Sequence, residues 1–434
     1  MRKILLALIL CVSSFSYALH VECKGDGAFA QLTYNNDTLL LFESNPELNT
    51  LASVGVVNWY QLPDTITPIQ TGTDYLYPEH GEGYAIKVNG QWEYFWVFDY
   101  SQLRANVNDV QAVLSCSETV LELNGNVPEM TYRNLQGQTV TYPRLCQVTY
   151  MDACWSDETD QWIDSIAIAE RAFTNTISLE PSPVPTNFLI SDLLAQTLSI
   201  DGDSLYTSLY QPVAIKANPQ AIVTTRGKVG EKTNEVERPT DPETLIKRSA
   251  PLIVTFRANA LNADYYDWRI RRGSENILQR SDVQHEYTFS EPGNYTVVVG
   301  MSNIHGCSID SVTFDVAVSA SMLNVPNIFT PNGDGVNDEF RVVYRSIKEF
   351  HIWVYNRYGH LVYESSDPAK GWDGTIHGKP AAEGAYYYVI RALGTDAEMN
   401  YIAKPTYTKK MKKGELPIGV YQLSGDINLL RGGK

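Results

Sequence analysis

The stretch PNIFTPNGDGVNDEF, Pro326 to Phe340, crowds Asn332, Gly333, Asp334, Gly335, Asn337 and Asp338 between two apolar segments. Glycine tolerates positive φ, and Asn and Asp side chains bond nearby amides, so this composition predicts a tight turn. A calcium-binding loop is the competing reading. Such a loop wants oxygen ligands at alternating positions and a bidentate acid at the twelfth. With Asn332 and Asp334 at the third and fifth positions, Thr330 falls at the first and Arg341 at the twelfth, and neither suits its place. The turn is the better fit, and no metal site or other cofactor is expected.

Downstream, four segments continue the pattern: FHIWVYNRYGHLVYES (Phe350 to Ser365), KGWDGTIHGK (Lys370 to Lys379), AEGAYYYVIRAL (Ala382 to Leu393) and a terminal GDINLLRGG. Asn356, Arg357 and Gly359 frame a tight turn between two strands, and Trp372-Asp373-Gly374 makes the next turn. Period-2 alternation puts Tyr386, Tyr388 and Ile390 on one face of a strand and Tyr387, Val389 and Arg391 on the other. A small antiparallel sandwich follows from these signals.

Taken in order, PNIFTPNGDGVNDEF, YNRYGHLVY, GWDG, EGAYYYVI and the final LLR closely resemble the type B C-terminal sorting domain of Bacteroidota, also called the gliding-motility-associated C-terminal domain. The resemblance covers about residues 324–434, and the sorting domain is expected at 321–434. It implies export by the type IX secretion system. The partners it implies are outer-membrane components of the PorV and PorP/SprF kinds. One departure is a long segment between Gly394 and Gly425 that holds KKMKK, Lys409 to Lys413. An exposed ribbon or loop fits it, either altering partner contact or simply staying solvated.

The other end of the chain agrees with export. Arg2 and Lys3 precede an apolar run from Ile4 to Val12, and Ser16-Tyr17-Ala18 offers small residues at a cleavage site. A signal peptide is therefore expected at 1–18. Its apolar run is too short for a bilayer, which needs about 20 residues. No later segment approaches a membrane span.

The chain has 434 residues, 44% hydrophobic, which is enough for about three folded domains with real cores. Its net charge of −16 argues against nucleic acid as a partner. The charge is uneven: Asn324 to Lys434 holds 14 Lys and Arg against 12 Asp and Glu, leaving 20 against 38 for the rest. The tail thus differs from the body in charge, which hints at a separate job.

The body reads as tandem immunoglobulin-like β-sandwiches, so the expected class is all-β. In GYAIKVNGQWEYFWVFDY (Gly83 to Tyr100), Asn89-Gly90 is a strong hairpin signal. A two-residue turn there would set Val88 and Ile86 opposite Gln91 and Glu93, a mixed pairing that leaves room for a longer loop. Trp59 lies between Cys23 and Cys116, an order similar to immunoglobulin-like domains. A first sandwich is expected at 19–125 and a second β-rich unit at 126–220. Within the second, FLISDLLAQTLSI (Phe188 to Ile200) suits helix or strand. Residues 221–248, polar and proline-bearing, read as a linker or exposed loop. From 249 to 320, Tyr266 and Trp268, then SEPGNYTVVV and SNIHGC, resemble the polycystic-kidney-disease (PKD) type of immunoglobulin-like domain. That resemblance implies a spacer or binding scaffold.

Export permits disulfides. Cys23 with Cys116 and Cys146 with Cys154 are the candidate pairs, leaving Cys307 as a buried free thiol. The spacing fits no zinc pattern. No nucleophile elbow, His-Glu-x-x-His or phosphate-binding glycine loop occurs, and the seven histidines are scattered. Acid pairs such as Asp201 and Asp203 are expected by chance among 50 acidic residues. No catalytic residues are assigned. Trp92, Tyr94, Phe95, Trp96 and Phe98 are dense enough for a sugar-stacking platform, although core packing suits them better.

Two functions of different class follow. In one, a non-enzymatic surface protein docks through its tail on the secretion machinery, similar to the PorA-like accessory group. In the other, the sandwiches form an adhesin or glycan-binding surface.

Overall fold

The computed structural model describes residues 19–201, 204–226, 233–240, 247–397 and 416–431. The expected signal peptide at Met1–Ala18, Asp203 and the Lys409–Lys413 cluster lie outside them. Among the described residues the protein is all-β apart from one five-residue helix and one 3-10 turn, and the chain forms two compact units, Met1–Ala214 and Ile215–Lys434.

The first unit opens with a single seven-stranded sheet. Its strands are β1 (Val21–Tyr34), β2 (Asp37–Thr50), β3 (Val57–Gln61), β4 (Gln70–Thr73), β5 (Tyr75–Leu76), β6 (Gly83–Val88) and β7 (Gln91–Asp99), in the order β1-β2-β7-β6-β3-β4 with β5 on β2. Alternation sends Leu40, Phe42, Ile86, Phe95 and Val97 to one core, around Trp59. Leu39, Leu41, Trp96 and Phe98 go to another. Both faces are therefore buried. The Asn89-Gly90 turn has two residues, both at positive φ, and the mixed register is real: Ile86 pairs with Glu93 and Val88 with Gln91. Glu93 is tolerated because it binds His20, by Nδ1 at 2.6 Å and by the backbone N–H at 3.0 Å. Phe95, Trp96 and Phe98 are fully buried and make core, while Trp92 and Tyr94 are half-buried and stack on each other at 6.3 Å.

The second half of this unit is a sandwich built from β8 (Asn106–Val113), β9 (Thr119–Asn126), β10 (Met130–Arg133), β11 (Thr139–Tyr142), β12 (Leu145–Ser156), β13 (Gln161–Ala172), β14 (Thr176–Leu179), β15 (Leu189–Asp192), α1 (Leu193–Thr197) and β16 (Leu205–Tyr206). One sheet runs β14-β9-β8 and the other β13-β12-β15-β16. The boundary expected at 125/126 is thus corrected. β8 and β9 pair with β14, and their Val110, Leu121 and Leu123 share a core with Val148, Phe188 and Ile190. The first 19–104 residues need no second sheet, because the β10–β11 hairpin and α1 cover their open face with Met130, Tyr132 and Leu194. The ambiguous Phe188 to Ile200 run is both states: a strand, then a helix whose first turn is capped by Asp192, which accepts from the Leu194 N–H at 3.0 Å.

At this junction a buried ion pair joins Arg144 Nη2 to Asp192 Oδ2 at 2.5 Å, with side chains only 3% and 4% exposed. Arg144 Nη1 donates to the Pro128 carbonyl, and the Tyr100 hydroxyl donates to Asp192 at 3.2 Å. Burial, and then the Asp192 charge, push the Tyr100 hydroxyl's pKa well above its usual range.

The second unit holds a two-sheet sandwich of β17 (Lys216–Ala217), β18 (Gln220–Val223), β19 (Arg248–Ser249), β20 (Leu252–Arg257), β21 (Ala260–Leu261), β22 (Tyr265–Arg272), β23 (Glu275–Arg280), β24 (Gln284–Phe289), β25 (Gly293–Ser302) and β26 (Ser308–Ser319). Its sheets run β18-β20-β24 and β19-β26-β25-β22-β23, closing on Trp268, Phe256, Phe289 and Val297. Residues 221–248 are corrected from linker to structure in their described parts. Residues 220–223 form a sandwich strand. The Val236 N–H donates to the Tyr344 carbonyl at 2.8 Å. Glu235 binds Arg226 at 2.7 Å, and Glu237 binds Arg345 at 2.7 Å. Charge predicted solvation here, but each of these acids has an arginine partner.

The last sandwich comprises β27 (Met322–Asn324), β28 (Ile328–Phe329), β29 (Val343–Arg345), β30 (Ile347–Tyr355), β31 (Leu361–Ser365), β32 (Thr375–Ile376), β33 (Lys379–Pro380), β34 (Gly384–Gly394) and β35 (Val420–Leu429). Its main sheet runs β28-β35-β34-β30-β31. As alternation requires, Tyr386 and Ile390 are buried while Tyr387, Val389 and Arg391 are exposed.

Both disulfide assignments, and the reading of Cys307 as a free thiol, are corrected. Cys23, Cys146 and Cys154 are free, whereas Cys116 and Cys307 are each disulfide-bonded. Cys146 and Cys154 share β12, where eight extended residues hold them about 26 Å apart, far beyond the reach of a disulfide. Cys23 stands on β1, whereas Cys116 lies in the β8–β9 connection of the next sandwich. Burial pushes the Cys23 thiol up to about 12; burial and then Asp192 do the same to Cys146.

Candidate functional site

The loop between β28 and β29 is organised by one carboxylate. Asp338 Oδ1 accepts from the N–H groups of Gly333 at 2.7 Å and Asn332 at 3.0 Å, and Oδ2 from Gly335 at 2.7 Å. Asn332 Oδ1 accepts from the Asp334 N–H, and Asp334 Oδ1 from Val336, so each polar side chain closes a local turn. The Asn337 carbonyl ties the loop ends by accepting from Thr330 at 2.8 Å. Gly333, Gly335 and Asn337 all sit at positive φ. Three amide dipoles converge on an anionic oxygen pair, which suits a self-filled turn; a cation there would face their positive ends. Among the described residues no group of three or more His, Cys, Asp or Glu side chains is placed to hold a metal ion.

The GWDG turn meets this loop. Trp372 is 1% exposed, with its ring 5.4 Å from Phe329 and 4.9 Å from Tyr386. Its Nε1 donates to the Thr375 carbonyl at 2.8 Å, while Asp373 accepts from the Thr375 N–H and hydroxyl. Gly374 is required twice over. It sits at φ +72°, and a Cβ there would meet Pro331 at 2.9 Å and Leu429 at 3.3 Å.

A residue outside the expected set joins the pieces. Arg431 donates to the Pro331 carbonyl at 3.2 Å, to Gly374 at 2.9 Å and to Ala381 at 3.2 Å. Its own N–H donates to Glu383 at 2.7 Å. The first strand of the motif also lies parallel to the last, with Phe329 opposite Leu429. The chain end therefore clasps both glycine-rich turns. The sequence held a signal for this in the terminal Leu-Leu-Arg, although spacing alone gave no reason to link it to residues 100 positions away.

The Asn356 turn stands by itself. Asn356 Oδ1 accepts from Tyr358 and His360, and Gly359 takes the positive φ. The Arg357 guanidinium lies over the Tyr358 ring at 4.9 Å.

Asp338 carries a pH signature. The Gly333 amide first, then Gly335, hold its carboxyl below the ordinary 3.8 by bonding the charged form. A depressed acid stabilises the folded loop fully above its unfolded value and loses that contribution as pH falls through the lower folded value. The Gly333 and Gly335 amide resonances are therefore expected to shift together in one acid transition below pH 3.8. In Asp338→Asn that transition should vanish, and added calcium should move neither resonance. Independent transitions for the two amides, or a calcium shift, would contradict the shared carboxylate.

Fold and site together define the class: fibronectin- and immunoglobulin-like sandwiches ending in a compact sandwich whose signature turns are clasped by Arg431. Residues 323–404 match the family described as CHU_C Type IX secretion signal domain, and residues 109–207 match Fn3_FA, a fibronectin type III domain. The protein thus carries a type IX secretion signal domain at its C-terminal end and a fibronectin type III-like domain before it. Its secretion signal implies delivery to the cell surface, and among the described residues no helix is long and apolar enough to cross a membrane.

Comparison with curated proteins gave no match. Solved structures similar in part include a tetra-tandem repeat from the extending region of a large adhesion protein, at 11% identity and TM-score 0.19, covering 89% of this chain and 95% of that one. Fibronectin(III)-like modules of Clostridium thermocellum CbhA match at 11% identity and TM-score 0.16, covering 43% and 87%. The FN1-FN3 domains of chicken CNTN1 match at 10% and 0.23, covering 75% and 99%. At these scores none carries weight for function.

Proposed function

We propose that this is a non-enzymatic exported surface protein whose final sandwich docks on outer-membrane secretion components of the PorV and PorP/SprF kinds, as an accessory or signalling protein similar to the PorA-like group. An N-terminal signal peptide takes it across the first membrane, and the C-terminal sandwich is the address for the second. The observation carrying this reading is the clasp. The glycine-rich loop, the GWDG turn and the chain end, distant in sequence, converge through Arg431 in the domain matched as a secretion signal. Full burial of Phe95, Trp96 and Phe98 favours this reading over glycan binding, although Trp92 and Tyr94 stay half-buried and stack at 6.3 Å.

The test is removal of residues 321–434 in the native host. The truncated chain should be processed at its N-terminus yet stay in the periplasm, while the full chain reaches the surface. Cross-linking of the full chain should recover outer-membrane β-barrel secretion components. Surface display of the truncated chain would overturn the address, and cross-links confined to non-secretion proteins would overturn the docking role.

A further inference from the structure

Among the described residues the β13 strand is a long open sheet edge. It pairs with β12 without a register shift from Ser156–Gln161 to Leu145–Ala172, and no strand pairs with its other edge among the described residues. Soluble proteins protect such edges with charged side chains, lysine above all, or with proline, bulges or short length; β13 carries only the acids Asp164 and Glu170 on its outward row. In β13 there is no lysine, no proline and no bulge over 12 residues. Its outward row is Asp164, Ile166, Ile168, Glu170, with Ile166 67% and Ile168 62% exposed. The apolar surface continues across the sheet, since Ile168 pairs with Thr149, Thr149 with Leu189, and Leu189 with the exposed Tyr206.

The charges select the occupant. Acids flank the two isoleucines, and the strand's one cation, Arg171, is turned away to donate to the Ser178 carbonyl. A second copy is disfavoured: pairing antiparallel with Ile166 opposite Ile168 would set Asp164 opposite Glu170 twice. Like charges directly opposite destabilise a sheet pair. We propose that the β13 edge is a strand-addition site for an extended polypeptide segment of the pattern Lys/Arg-x-apolar-x-apolar-x-Lys/Arg. Main-chain pairing would supply affinity and the alternate side chains specificity.

The probe is the peptide Lys-Thr-Val-Thr-Val-Thr-Lys, titrated into the whole mature protein, beside Glu-Thr-Val-Thr-Val-Thr-Glu. The basic peptide should bind saturably and weaken with salt. The acidic one should bind at least about tenfold more weakly. Ile166→Lys with Ile168→Lys should lose binding by a similar factor. Both side chains are mostly exposed, and Ile166→Thr with Ile168→Thr serves should the first pair perturb folding. No binding of the basic peptide, equal binding of the two peptides, or native binding by the variants would overturn the site. A concentration-dependent dimer in sedimentation that the variants abolish would give the edge to a second copy and overturn the basic occupant.

Discussion

Asp192→Ala should destabilise the Met1–Ala214 unit by about 3–5 kcal/mol, because it leaves the Arg144 guanidinium buried and without its counter-charge. Arg144 keeps the Pro128 carbonyl but loses the 2.5 Å contact to Asp192, and Tyr100 loses its acceptor. The helix cap on Leu194 disappears as well. The pair replaced as a whole, Arg144→Met with Asp192→Leu, should be far milder, since removing both charges removes the desolvation cost along with the attraction. Urea unfolding followed by tryptophan fluorescence measures both. A single variant as stable as the native chain would mean water reaches Arg144 and the pair is not isolated. The network ties the β7 end of the first sheet to the second sandwich, so the loss should also raise amide exchange in residues 130–142.

The second large effect is expected at Trp372. Truncating a fully buried tryptophan to alanine costs about 3–5 kcal/mol. Trp372 touches Phe329 and Tyr386 and pairs by backbone with Phe340, at the centre of the motif pieces. A domain has only about 5–15 kcal/mol of stability to spare, so the last sandwich should unfold or nearly so. Hydrogen exchange should rise across 321–431 while the Met1–Ala214 unit, an internal control, stays protected. Surface export should fall in parallel. Uniform protection in the variant would place the domain's stability elsewhere.

Local signals were well expressed in the sequence. Alternation assigned both faces of the Gly384–Gly394 strand, because the side-chain period of a strand is a property of its own backbone. Asn89-Gly90 marked its hairpin for the same reason. The registers that looked awkward, Ile86 against Glu93, depended on His20 reaching across 73 positions, which no window of sequence contains. The Cys23–Cys116 pair failed because its order resembled an immunoglobulin disulfide, and the Cys146–Cys154 pair because both lie on one extended strand. The charged stretch around Glu235 and Glu237 looked solvated because spacing did not reveal that Arg226 folds back on Glu235 from nine residues away, or that Arg345 reaches Glu237 across 108 positions.

By itself, then, the sequence determined the all-β class, the turn character of Asn332 to Asp338 and the secretion-signal motifs, since φ preferences and period-2 burial act within a few residues. Only the tertiary structure decided that β8 and β9 belong to the second sandwich, that one face of the first sheet is covered by the β10–β11 hairpin and α1, and that Arg431 closes over both glycine-rich turns. Each of those rests on a surface or a carbonyl presented by distant chain, and burial free energy depends on which surfaces meet, not on how near they are in sequence.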